Sequence, residues 1–135
     1  MLLEMDLPII KNIMMRTNVE AINNIIVLNT FTAGQECRGE GIYIYSCSPV
    51  MIKNIIADNV ATHGGGIYSC KYDKTYPVII NNTIVNNSAS FQGDGLYYYN
   101  SYPELMNSIL WNNSAPSGPQ IYRYSGIINV TYSDV

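Results

Sequence analysis

The residues able to carry acid–base or metal chemistry are few and scattered. Asp58 and Asp94 are single acids at different places in the chain; Glu36 and Glu40 share one loop; Asp73 sits in another. Calcium needs several oxygen ligands brought together, and these acids are not grouped that way. Calcium is therefore the one metal that suits them at all, and poorly; no cofactor is expected. Hydrolysis of a glycosidic bond needs two carboxylates roughly 5 to 10 Å apart across a groove. Glu36, Glu40, Asp73 and Asp94 are the near-loop candidates, and no spacing forces any two of them together. His63, in "ATHGGG", reads as a solvated loop histidine rather than a base. Arg38 reads as a surface partner of Glu36 or Glu40. With three cysteines and no CxxC, zinc has no support. Cys47 and Cys70 stand near equivalent ends of successive repeats and read as isolated thiols, while Cys37 lies in a variable loop.

Tyrosine is the residue type whose spacing does suggest a surface. The chain contains "GEGIYIY", "GGGIYSC", "GDGLYYY" and "GPQIYRY". In each, an Ile or Leu precedes a Tyr, and side chains alternate across a strand. If Ile42, Ile67, Leu96 and Ile121 point inward, Tyr43, Tyr68, Tyr97 and Tyr122 point outward as an exposed ladder. Tyr45, Tyr99 and Tyr124 extend it, with Cys70 interrupting. Aromatic stacking between neighbouring strands accounts for such a ladder by itself, at about 0.2–1 kcal/mol per pair. The sharper expectation is a platform, flanked by Asn100 and Ser101, for sugar rings or a protein partner, because Tyr offers apolar area plus a hydroxyl.

These residues recur because the whole chain repeats. "AINNIIVLN", "VMIKNIIADN", "PVIINNTIVNN" and "ELMNSILWNN" are four copies of one pattern, with equivalent Asn residues 30, 28 and 26 positions apart. Aligned columns hold Asn24, Asn54, Asn82 and Ser108; Ile26, Ile56, Ile84 and Leu110; and Asn29, Asn59, Asn87 and Asn113. Ile22, Ile52, Ile80 and Met106 form another, and Pro8, Pro49, Pro77 and Pro103 precede the first strand. A period of this length signals a solenoid or propeller. Each copy has three short segments rich in β-branched residues, bounded by Gly and Asn, and all are too short for helices. Stacked coil on coil they make a parallel β-helix, with equivalent strands about 4.8 Å apart and Ile and Leu columns filling the inside.

The Asn column then has a structural role. Asn tolerates left-handed backbone and bonds neighbouring backbone groups. Turned inward at a bend, Asn29, Asn59, Asn87 and Asn113 can bond one another from coil to coil and satisfy buried polar atoms. Gly41, Gly66 and Gly95 mark a tight approach to the third strand. Pro119 and Gln120 replace that motif in the last copy, so its turn is expected to differ. Trp111 falls on the face opposite Leu110 and is expected to be partly exposed. "PIIKNIMMRTN" resembles the first half of a coil, yet the next coil begins soon after it. The loops at 30–40 and 71–76 vary most, and variable excursions are where solenoids place function.

Composition sets outer limits. Hydrophobic residues make up 47 % and charged residues 13 % of 135 residues, with a net charge of −3. The basic residues are scattered, which argues against nucleic acid. No apolar run is long enough for a membrane helix, which needs about 18 residues. "MLLEMDLPII" carries acids where a secretion signal would be basic. The chain is expected to be one domain, residues 1–135, and to be a piece of a longer solenoid because it starts and stops within repeats. Open ends would leave unpaired strands, inviting neighbouring coils of a parent chain or end-to-end self-association.

"NNTIVNNSASFQGDGLYYYNSYPELMNSILWNNSAPSGPQIY" and "KNIIADNVATHGGGIYSC" resemble the right-handed parallel β-helix repeats of bacterial surface and secreted proteins. That architecture is shared with pectate lyases and polymorphic outer-membrane proteins. In such repeats "GGGIY" follows an "NN(S/T)A" segment, as Gly95–Tyr97 follows Asn86–Ala89 here. The resemblance spans roughly residues 8–135. It implies a right-handed solenoid of about four coils plus partial ones, three short strands per coil, and an extracellular or cell-surface location. It also implies a structural or adhesive segment, or alternatively a carbohydrate-active module acting on polysaccharide as lyase or hydrolase.

Overall fold

A computed structural model describes residues 9–10, 13–30 and 39–135. Pro8, Glu36, Cys37 and Arg38 fall outside these, as does the side chain of Asp73. Three five-stranded parallel sheets run the length of the described chain. The first contains Glu20–Ile22, Val50–Ile52, Val78–Ile80, Glu104–Met106 and Asn129–Thr131; the second Ile9–Ile10, Ile25–Val27, Ile55–Ala57, Thr83–Val85 and Ile109–Trp111; the third Ile13–Met15, Ile42–Tyr45, Ile67–Thr75, Leu96–Ser101 and Ile121–Arg123. Each strand pairs in register with its equivalent in the next coil, for example Ile84 with Ile56 and Leu110. A short fourth sheet, Val60–His63 with Ser88–Gln92, was not expected; it occupies the loops between second and third strands.

The N-terminal segment is the second half of a coil, not the first. Ile9–Ile10 pairs with Ile25–Ile26 in the second sheet, and Ile13–Met15 pairs with Ile42–Ile44 in the third. A new coil then begins at Glu20 in the normal order, which explains the short spacing.

The core is a set of stacked columns. Ile26, Ile56, Ile84 and Leu110 are fully buried, as are Ile42, Ile67 and Leu96. On the first sheet the buried column is Ala21, Met51, Ile79 and Leu105, so Ile22, Ile52, Ile80 and Met106 face outward. With strands of three residues only the central side chain points in. Trp111 is exposed, as expected.

Between first and second strands, and again after the second, the chain turns sharply. The left-handed residues at these corners are Asn23, Lys53, Asn81 and Asn107, then Leu28, Asp58, Asn86 and Asn112. Each precedes a column Asn or Ser, so the column residues themselves need no left-handed backbone. Their role is hydrogen bonding. Asn29 Nδ2 donates to Asn59 Oδ1 (2.8 Å), Asn59 Nδ2 to Asn87 Oδ1 (2.9 Å), and Asn87 Nδ2 to Asn113 Oδ1 (3.0 Å). The same oxygens accept from the backbone N–H groups of Asn29, Asn59 and Asn87. Asn24, Asn54 and Asn82 form a second ladder of the same design, with Asn82 N donating to Ser108 Oγ.

Candidate functional site

The Tyr column lies on the third sheet, where equivalent strands set its rings above one another. Ring centroids are 5.4 Å apart for Tyr43–Tyr68, 4.7 Å for Tyr68–Tyr97 and 5.2 Å for Tyr97–Tyr122, the last two near-parallel. The stack is as expected, but the exposure expected of it is not found. Tyr68 and Tyr97 are only 4 % and 6 % exposed, and Tyr43 and Tyr122 are half-buried.

The cover comes from the turn that leads into each third strand. Its first glycine, Gly64 or Gly93, has φ near +60° and crosses the base of the column. A methyl on Gly93 would stand 2.8 Å from Tyr97 Cβ and 2.9 Å from Tyr122 Cβ. His63 and Phe91 complete the cover. Their rings stack at 5.6 Å, and His63 meets Tyr97 edge-on, also at 5.6 Å. His63 is therefore half-buried within an aromatic group rather than solvated. Gln92 Nε2 donates to the Tyr122 hydroxyl at 3.0 Å, and the Tyr43 hydroxyl lies 3.4 Å from Cys70 Sγ. Stacked rings present their faces to each other and only their edges to solvent.

The second column keeps more of its surface. Tyr45 and Tyr99 are half-buried, and Tyr124 is 63 % exposed and tilted 51° from Tyr99. The Arg16 guanidinium lies 5.9 Å from the Tyr45 ring centre. Around the corner Tyr76 and Tyr102 stack at 5.5 Å, with Lys74 Nζ 5.3 Å from the Tyr102 ring. Of the residues expected to flank the ladder, Asn100 is half-buried and bonds Ser125, while Ser101 is buried and shares its hydroxyl with Ser69 and Thr75.

Asp94 departs furthest from expectation. It stands in the turn Gly93–Gly95, where the sequence offered it only as a near-loop acid. It is fully buried, and neither carboxyl oxygen has a hydrogen-bond partner. Burial pushes its pKa from 3.8 up to about 7, opposed only by the nearby backbone of Ala89. Tyr98, pointing inward between Tyr97 and Tyr99, also has its phenol pushed up by burial, against the opposing charge of Arg123 and a backbone bond near Ile128.

The right-handed β-helix region, as a protein family, matches residues 10–135. The chain belongs to that family. No curated protein and no solved structure matches it.

In this right-handed β-helix the sequence-flagged residues divide cleanly. The Asn column is brought together as a ladder and the first Tyr column stacks, while in the second only Tyr99 and Tyr124 meet, tilted, with Cys70 between Tyr45 and Tyr99. Among the described residues no group of three His, Cys, Asp or Glu side chains is placed to hold a metal ion. Asp58 is exposed at a corner, Glu40 is half-buried, and Asp94 is sealed within its turn, so these acids do not converge. Cys47 and Cys70 are both buried. No helix of the described residues is long and apolar enough to cross a membrane.

The turn into the last third strand keeps its left-handed Gly118, so it differs less than expected. What changes is the second glycine position, where Gln120 stands. Its Oε1 accepts from Asn113 Nδ2 at 2.7 Å and closes the Asn ladder. Sequence reasoning missed this bond and the first-glycine cover. The signal for the cover was present: Gly39, Gly64, Gly93 and Gly118 recur in all four copies, more regularly than the second glycines.

Proposed function

We propose that this β-helix is a structural or adhesive segment of a surface-exposed or secreted bacterial protein, forming a single domain over residues 1–135. The observation that supports a binding role is the uneven exposure of the aromatic rings. Tyr43, Tyr68, Tyr97 and Tyr122 spend their faces on one another. Tyr124 with Tyr99 beside it, Tyr45 two coils before Tyr99 and next to Arg16, and Tyr102 with Tyr76 around the corner next to Lys74, leave ring area open. Aromatic surface with polar hydroxyls suits polysaccharide or a surface protein.

A carbohydrate-active role has one observation in its favour. Asp94 has the proton affinity of a general acid at neutral pH, although its carboxyl is sealed from any substrate in this conformation.

A glycan-array and polysaccharide-cleavage screen, with and without calcium, separates the two. Binding without cleavage, weakened at least about tenfold by Tyr124→Ser or Tyr102→Ala, is the expected result. Cleavage that disappears in Asp94→Asn would replace the adhesive reading with the enzymatic one.

A further inference from the structure

The Gly93–Gly95 turn is bonded on both sides. Gly93, Gly95 and Leu96 donate backbone N–H groups to Ser117, Pro119 and Gln120 of the following coil, at 3.1, 3.1 and 2.9 Å. On the other side the Asp94 carbonyl accepts from Gly66 at 2.6 Å. This turn also lays Gly93 over the Cβ atoms of Tyr97 and Tyr122. At its centre the Asp94 carboxyl has no solvent contact and no hydrogen-bond donor.

We infer that Asp94 is a proton-operated latch: the turn stays closed while its carboxyl is neutral, and ionisation opens the turn and uncovers the Tyr97 and Tyr122 rings. The step is a simple acid dissociation, with the proton passing to water or buffer. A buried carboxylate without donors cannot stay where it is at small cost. Either water enters or the turn swings out, and swinging out restores hydration at the cost of backbone bonds to both neighbouring coils.

Apart from the nearby Ala89 backbone, the surroundings offer the charge no compensation. The facing segment of the next coil, residues 114–120, is Ser-Ala-Pro-Ser-Gly-Pro-Gln and has no ionisable side chain. Pro119, the equivalent of Asp94 there, lacks even an N–H. In the preceding coil the equivalent is Gly65, and Glu40 stands one coil further away. The adjoining strand Val60–His63 carries His63, engaged with Phe91 and Tyr97. The strand Ser88–Gln92 has no ionisable group, and the third strand contributes the phenols of Tyr97, Tyr98 and Tyr99. Burial places the dissociation near pH 7, within the range a secreted or surface protein meets.

The consequence for recognition rests on the reading of the Tyr face as a binding surface, but the latch is measured without any ligand. Amide hydrogen exchange at Gly95 and Leu96, corrected for intrinsic base catalysis, follows the closed turn. Protection should fall about tenfold between about pH 6 and about pH 8.5 in the wild type and stay level in Asp94→Asn. Nitration of Tyr97 should rise over the same range in the wild type alone. Equal pH profiles in both proteins would overturn the latch. Should Asp94→Asn fail to fold, the infrared carboxyl band of the wild type decides: a protonated carboxyl titrating near neutrality supports the latch, and a carboxylate already ionised at about pH 5 refutes it.

Discussion

Asn87 and Asp94 lie in the same coil and are equally buried, yet their polar atoms fare in opposite ways. Asn87 Oδ1 accepts two bonds from Asn59, and its Nδ2 donates to Ile56 O and Asn113 Oδ1. Asp94 makes none with its carboxyl. An amide has donor and acceptor, so a column of amides satisfies itself however many coils are added. A carboxylate only accepts. Its column neighbours, Gly65 and Pro119, have no side-chain donor to offer. Repetition makes a buried polar group a support; a polar group buried once, out of pattern, is a load on its own coil.

The strongest way to break this comparison is to remove a rung. Asn87→Ala strands the Asn59 N–H and one Asn59 Nδ2 hydrogen inside the coil, and each orphaned buried group costs about 1–3 kcal/mol. A loss of about 3–5 kcal/mol is expected by denaturant unfolding, a large share of the stability of a domain this size. Asn112→Ala is the matched control. That residue sits at a left-handed corner and makes only an exposed bond to Asn86, so its loss should cost about 1 kcal/mol, most of it the strain of alanine in left-handed backbone. Similar losses in both variants would mean that the ladder contributes no more than a surface amide.

The ladder was legible in the sequence because it repeats at every coil, and the three strand positions with their Ile and Leu columns were legible for the same reason. The stack of Tyr43, Tyr68, Tyr97 and Tyr122 could also be drawn from alignment alone. Its burial could not, because strand alternation assigns a side but not what covers that side; the cover is a turn with left-handed glycine. Nor could a strand of three residues show that Met51 and Ile79, rather than Ile52 and Ile80, face the core. Asp94 was least legible. It lies in a turn, where alternation gives no direction, and it occurs once. Its one signal was that the two adjacent members of its column, Gly65 and Pro119, are not the solvated polar residues an exposed position would accept, although Glu40 stands one coil further away.

The next effect in size comes from the load. Asp94 is protonated below its ordinary value of 3.8 whether the chain is folded or not, and there it costs nothing by charge. Above that pH the unfolded chain releases the proton while the folded chain holds it until about pH 7. Stability therefore falls as pH rises from about 4 to about 7 and levels off beyond. At about 1.4 kcal/mol per pH unit the fall is on the order of 2–4 kcal/mol, with any opening of the turn reducing it. Denaturant midpoints measured across this window should slope downward in the wild type and stay flat in Asp94→Asn. A flat wild-type profile would mean that Asp94 is ionised and solvated after all, and the contrast with Asn87 would vanish.

The smallest effect tests where the ladder ends. In three coils the second glycine of the turn is forced by crowding; at Gly66, for instance, an added methyl would stand 2.5 Å from the Gly95 carbonyl oxygen and 3.1 Å from Asn87 Nδ2. At the equivalent place Gln120 has a side chain, and its Oε1 takes the Asn113 Nδ2 hydrogen that the other coils give to the next Asn. Asn113 Nδ2 keeps a second bond to the Ile84 carbonyl at 2.9 Å, so losing Gln120 leaves the amide partly satisfied. Gln120→Ala should therefore cost about 1 kcal/mol, the worth of one net hydrogen bond, well below Asn87→Ala. Unfolding curves for the two variants give the ratio directly. A cost at Gln120 matching that at Asn87 would show that the ladder depends on its terminal partner as much as on an inner rung, making it one cooperative chain of bonds instead of a sum of local ones.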